Sequence, residues 1–423
     1  MVTNSLWGKA LTRSPGNPRV RSSRLALPIT LAVQVLTSMA SLTVPVLAPD
    51  IATATGMPAQ LAGVYIGVVY AGAILSSLIS GAFIARFGAI RVSQLCLILS
   101  GAGLALAGTG QMLALGTSAI LLGLGYGAVT PASSHILART TPPDRMALMF
   151  SLKQTGVPLG GAMAGLLAPL AAGIFDWQIA LRCTGLLCLL MAALCQPLRR
   201  EMDADAAACR SDAPHAGIAE LLRGTAGHLL SPLRLIFASP RLRDMAFCSL
   251  FFGAVQLCFT TFMVVWLTEV HAMSVARAGG VLALAQAAGV AGRLLWGWLA
   301  DRFVAARRML AMLGLLMASA ALLFALSTPA WPTAVIAGAA MLAGASAIGW
   351  NGVYLAEVAR LAPPGEAGRV TGGTLSFTFL GVVVGPPAFA AVVGATGSFA
   401  PAFVAMAILA GLAVVLIERS PAG

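Results

Sequence analysis

Charge is scarce in this 423-residue chain: 9% of residues are charged, 59% are hydrophobic, and the mean hydropathy is +0.90. A soluble domain carries about 25% charged residues. A soluble chain this apolar could not cover its surface with polar side chains. An ordinary cytosolic enzyme and a disordered protein are therefore excluded. Cysteine occurs seven times, at 96, 183, 188, 195, 209, 248 and 258, mostly inside apolar runs and never as CxxC. Neither a disulfide framework nor a zinc site fits that distribution, and the thiols read as small apolar filler. No P-loop, HExxH, GxSxG or carboxylate pair is present, and Gly101-x-Gly103 follows no strand. No enzyme activity and no cofactor are expected. No added signalling domain is present, which disfavours a sensor.

Long apolar runs are plentiful. They cover 25–48, 61–84, 92–113, 117–138, 146–171, 178–197, 245–268, 277–299, 309–328, 332–357, 370–393 and 399–417. A helical span needs about 20 apolar residues, and Pro or Gly inside such spans is tolerated. The runs are continuous rather than alternating, which excludes a β-barrel. The expected fold is an all-α integral membrane protein with twelve transmembrane helices.

The net charge is +12. In a soluble chain this would suggest nucleic acid; between hydrophobic runs it points to anionic lipid headgroups, and no nucleic-acid partner is expected. Cations occupy the tail (Lys9 to Arg24), then Arg86 and Arg91, Arg139 and Arg145, the stretch from Arg199 to Arg243, Arg302 to Arg308, Arg360 and Arg369, and Arg419. With twelve spans all of these fall on one side, so both termini are expected in the cytoplasm of a bacterial inner membrane. The expected division is a tail (1–24), a six-helix bundle (25–197), a cytoplasmic linker (198–244) and a second bundle (245–418). The first part of the linker, with Glu201, Asp203, Asp205 and Asp212, reads as flexible. Residues 218–237 read as an amphipathic surface helix that Pro232 would break. Trp177, Trp266 and Trp331 read as an outer interfacial belt, and Trp296 and Trp298 as an inner one.

The two bundles share short repeats. Gly81-Ala-Phe-Ile-Ala-Arg86-Phe87 follows the second run and Gly297-Trp-Leu-Ala-Asp301-Arg302-Phe303 the eighth; Ala-Arg-Thr-Thr-Pro-Pro at 138–143 matches Ala-Arg-Leu-Ala-Pro-Pro at 359–364. Two six-helix pseudo-repeats in one orientation place a substrate site between them. The loops resemble the pattern Gly-x-Leu-Ala-Asp-Arg-x-Gly-Arg-Arg of the major facilitator superfamily. The second copy matches at Gly297, Asp301, Arg302, Arg307 and Arg308. The first keeps Gly81, Arg86, Gly88 and Arg91 but has Ala85 in place of the acid. The resemblance implies a rocker-switch secondary transporter, with Gly81, Arg86, Gly297, Asp301 and Arg302 as gating residues. The segment Gly349-Trp350-Asn351-Gly352 and the Gly/Pro-rich fifth run are similar to cyanate-permease-like members.

Ionisable residues inside a membrane are functional candidates. Lys153, one of only two lysines, lies inside the fifth run, about 12 Å along a helix from Arg145. It is read as a cation for an anionic substrate, with snorkelling as the structural alternative. Gln154, its neighbour, would point elsewhere, because successive residues differ by about 100°. Arg293, one turn before Gly297, reads as part of the gate. Gln34, Tyr126, Thr130, Gln256, Gln286, Asn351 and Tyr354 sit near mid-span on the first, fourth, seventh, eighth and tenth helices, as candidate substrate contacts. No acid lies at a span centre. Protons, if coupled, would travel on the substrate or through His135. Two transport readings stay open: movement of a small organic or inorganic anion, and export of a drug, siderophore or other amphiphile. The remaining expected partners are the small-molecule substrate and membrane lipids, with the protein a monomer.

Overall fold

Backbone amides have no water to bond in a bilayer, so each apolar run closes its hydrogen bonds internally as helix. Among its described residues the computed structural model contains twelve helices long and apolar enough to cross. It describes residues 18–56, 61–203, 225–273 and 275–419, and shows no strand among them. The spans are 1 (Leu25–Val46), 2 (Val64–Phe87), 3 (Ala89–Ala107), 4 (Met112–Thr140), 5 (Pro143–Ile174), 6 (Trp177–Leu194), 7 (Pro240–Glu269), 8 (Arg277–Arg302), 9 (Ala306–Leu326), 10 (Thr333–Leu361), 11 (Ala367–Thr396) and 12 (Phe399–Arg419). Lys9 and Arg13 of the tail, and Asp205, Cys209, Arg210, Asp212 and Arg223 of the linker, lie outside the described residues.

The packing repeats with the chain. Span 1 packs on 5, 2 on 4 and 3 on 6; in the second half 7 packs on 11, 8 on 10 and 9 on 12. Three spans are interrupted. Span 4 consists of Met112–Gly127 and Val129–Thr140. Span 5 consists of Met146–Gln154 and Gly156–Ile174. Span 10 carries a π-helical turn, Gly344–Ile348, before Asn351–Leu361.

The halves meet through span 2 on 11, span 4 on 11, and the Met146–Gln154 part of span 5 on spans 8 and 10. These contacts run from the ends that carry the loop arginines to the Tyr70–Phe379 ring contact within the bundle. Gly156–Ile174, the far part of span 5, has no comparable packing on the second half. The molecule is thus closed at its basic end. Glycine permits the closest approaches. A Cβ on Gly81 would lie 2.7 Å from that of Arg369 on span 11, and one on Gly297 would lie 2.5 Å from Ser151 Oγ on span 5.

Three local expectations are corrected. The linker does not begin as flexible chain. Asp203 is 5% exposed and caps span 3, accepting from Ile90 N at 2.9 Å and Arg91 N at 3.1 Å. Burial raises its carboxyl above the ordinary range, opposed by those amides and by Arg199. Pro232 does not break its helix, which runs from Thr225 to Ala238. Pro232 is buried there, and packing offsets the lost backbone bond. Trp177 and Trp266 are not belt residues. Both are buried, and Trp266 packs against Phe324 and Phe403 with ring centroids 4.9 and 5.3 Å away.

Candidate functional site

The break in span 5 falls at Thr155, immediately after Lys153 and Gln154. Lys153 is 1% exposed, so it does not snorkel. Its ammonium donates to Gln34 Oε1 at 2.7 Å, Gln154 Oε1 at 2.9 Å and Thr130 Oγ1 at 3.1 Å. The expectation that Gln154 points away is therefore corrected. Two long side chains at an interrupted turn converge despite the helical 100° between them. Thr130 Oγ1 donates in turn to Gln34 Oε1 at 3.1 Å, and Gln34 Nε2 to Ser38 Oγ at 3.1 Å. The Tyr126 hydroxyl lies beside Ser38. Spans 1, 4 and 5 thus share one polar network, in which all three ammonium protons find neutral oxygens.

Arg293 of span 8 completes the site from the other half. It is 2% exposed. Its Nε donates to Ile348 O of the π turn at 2.8 Å, and its Nη1 donates to the carbonyl of Gln154. It is close enough to act electrostatically on both Lys153 and Tyr126. The reading of Arg293 as a gate residue is corrected: it belongs to the buried centre and bridges the halves. Among the described residues no ion pair joins a carboxylate to Lys153 or Arg293. Two buried basic side chains without a counter-charge are costly to keep charged.

A second polar cluster lies on the second half. Gln256 Oε1 accepts from Trp350 Nε1 at 3.0 Å and from Asn351 Nδ2 at 3.1 Å. Gln256 and Asn351 are half-buried. Tyr354 is fully buried; its hydroxyl lies beside Ser249 and Thr374 and completes no hydrogen bond there. Gln286 is half-buried and outside both clusters. Tyr126 also joins a ring layer between the halves, with Tyr70 at 6.2 Å and Phe379 at 6.0 Å, and Tyr70 is 5.8 Å from Phe379. Tyr70 and Phe379 carry no motif, so the sequence offered no signal for them.

At the basic end Asp301 accepts from Ala147 N at 3.0 Å and Leu148 N at 2.8 Å, capping the first turn of span 5 across the halves. Arg360 of span 10 pairs with the same carboxylate at 3.1 Å and donates to Pro143 O at 3.1 Å. Arg302 is exposed and takes no part in this latch; Arg360 is the cation that does. The matching repeat, Ala-Arg at 138–139 and 359–360, was the available signal for it. His135 lies where span 4 meets Gly368 of span 11.

Two pseudo-symmetric six-helix halves, closed at one end over a buried polar centre, are the architecture of a membrane transport protein. The chain belongs to the Major Facilitator Superfamily, whose model matches residues 30–386. It is a multi-pass transporter of a small-molecule substrate and not an enzyme. It is 26% identical over 385 residues to an uncharacterized MFS-type transporter of Mycobacterium tuberculosis, covering 89% of this chain and 81% of that one. It is 26% identical over 276 residues to the gallate transporter of Pseudomonas putida, covering 60% and 61%. In fold it superposes on a Major Facilitator Superfamily transporter, FucP, in the outward conformation, with a TM-score of 0.73 at 15% identity, over 95% of this chain and 100% of that one.

Proposed function

We propose that this protein moves a small organic anion across the bacterial inner membrane by secondary active, alternating-access transport, and that the anion binds between Lys153 and Arg293. One observation carries the reading: two fully buried basic side chains, one from each half, meet at Gln154 with no carboxylate among the described residues paired to either. The likeness to a gallate transporter, whose named substrate is a carboxylate, supports it. Taking the basic end as cytoplasmic, the conformation is closed on the inner side. Gln34, Thr130 and Gln154 hold Lys153 in place, and the Arg293 guanidinium supplies the second positive contact to the anion. Gln256 and Asn351 contact its neutral part. With no acid at the centre, a coupled proton rides on the substrate's own carboxyl group.

Export of a bulky amphiphile is less well supported. An apolar cavity of about 360 Å³ does exist, but it is lined by spans 7, 11 and 12 of the second half, including Leu250, Ala254, Gly381 and Phe389. It lies away from the interface between the halves. Uptake of a panel of radiolabelled carboxylates, gallate included, into vesicles tests the proposal. Wild-type protein is expected to accumulate at least one of them, and Arg293→Ala and Lys153→Ala to abolish it. Wild-type uptake by Arg293→Ala at matched expression would sink the anion site.

A further inference from the structure

The two seams that close the basic end are pseudo-equivalent but chemically unequal. On one, span 8 meets span 5, and Asp301 reaches across to cap span 5. On the other, span 2 meets span 11, and the position matching Asp301 is Ala85, which is exposed. That seam has no carboxylate from span 2. Its contacts are apolar or between neutral groups: the approach of Gly81 to Arg369 Cβ, Ile84 against Gly368, the Tyr70 and Phe379 rings, and a hydrogen bond from Ser77 Oγ to Gly372 O at 2.8 Å are among them.

A further element lies over this seam. The linker helix Thr225–Ala238 packs on span 2 of the first half and on spans 7 and 11 of the second. Ile236 is fully buried and Pro232 is buried. A Cβ on Gly373 would lie 2.7 Å from Ile236 Cδ1 and 3.0 Å from Pro232 Cβ. Gly372, one residue earlier, faces Ser77 of span 2. One turn of span 11 therefore touches span 2 with one residue and the linker helix with the next. Phe237 holds the helix on the second half through Phe377 and Phe247, at 6.3 and 6.5 Å.

We propose that the linker helix is an apolar clamp, with Ile236 as its closing residue, that holds spans 2 and 11 together where the first repeat lacks its carboxylate. Opening the basic end parts span 2 from span 11. The helix cannot then keep its contacts with both, so loss of its packing is a required part of opening, and its strength sets the resting population of the closed state. The proposal concerns conformation and stands whatever the substrate is.

The test reads opening directly, without transport. Ser80, buried beside this seam, is replaced by Cys in a full-length chain with Cys183 and Cys209 changed to Ser. Its alkylation by a maleimide added at the basic end of vesicles is then timed. Ile236→Ala is expected to speed labelling by about tenfold, since loss of buried methyl groups loosens the helix from span 11 in the closed state. Adding Ala85→Asp, which supplies a carboxylate one turn from Gly81 on the face toward span 11, is expected to slow it again. Leu230→Ala, on the exposed side of the same helix, is expected to change nothing. If Ile236→Ala does not reach the membrane, Gly373→Ala displaces Ile236 from the other side and is read in the same way. Unchanged labelling in these variants, or no restoration by Ala85→Asp, overturns the clamp.

Discussion

Two opposing costs meet at Lys153. A lysine at the centre of a membrane helix costs about 3 kcal/mol on insertion scales. Removing it leaves Gln154 Oε1 without its donor, at about 1–3 kcal/mol for a buried group left unsatisfied, while Gln34 Oε1 keeps its bond from Thr130. The two effects are of similar size and opposite sign. Lys153→Met is therefore expected to change stability by no more than about 2 kcal/mol while abolishing uptake of the anion. Thermal unfolding in detergent beside uptake at matched expression checks this. A large loss of stability would mean that the lysine is an architectural tie. Arg293→Lys presents a different balance. The planar fork that donates to Ile348 and Gln154 is lost and the charge stays. Apparent affinity for the anion is expected to fall about tenfold or more, with a smaller change in maximal rate.

At the scale of helices, the Asp301 latch biases an equilibrium and touches no substrate. The carboxylate caps span 5 with both oxygens and pairs with Arg360, and its side chain is only 5% exposed. Asp301→Asn removes charge from a helix N-terminus and from a partly dry ion pair, about 1–2 kcal/mol in the closed state. Turnover is expected to drop several-fold more than affinity, measured as maximal rate against half-saturation. An equal loss in both would place Asp301 in the binding site instead. The spans themselves were readable from sequence because a bilayer demands long apolar runs, and loop arginines fixed their phase. Lys153 was readable for the same reason, as a charge where charge is costly. The partners of these groups were not. Gln154 meets Lys153 because span 5 breaks at Thr155, and Arg293 reaches the centre because the π turn of span 10 offers Ile348 O. Such interruptions come from packing between helices distant in sequence. Asp203 was misread because a polar run gives no hint that one of its acids returns to cap span 3.

For the molecule as a whole, the charge pattern predicts that both termini and residues 198–244 face the cytoplasm. Reporter fusions at Ala114, Gly173 and Thr396 are expected to score on the far side, and one at Ser211 on the near side. A far-side Ser211 would invert the assignment of the closed end. The unequal seams carry a thermal consequence. The Asp301 latch, though partly buried, is held by charge, and added salt weakens such contacts. The Ile236 contact is held by apolar burial, and cooling weakens that kind of contact while excluded salts such as sulfate strengthen it. Salt therefore acts with opposite sign on the two sides of the same closure, and cooling loosens the apolar side, so a single molecule contains two fasteners that its surroundings shift in different directions without altering a residue.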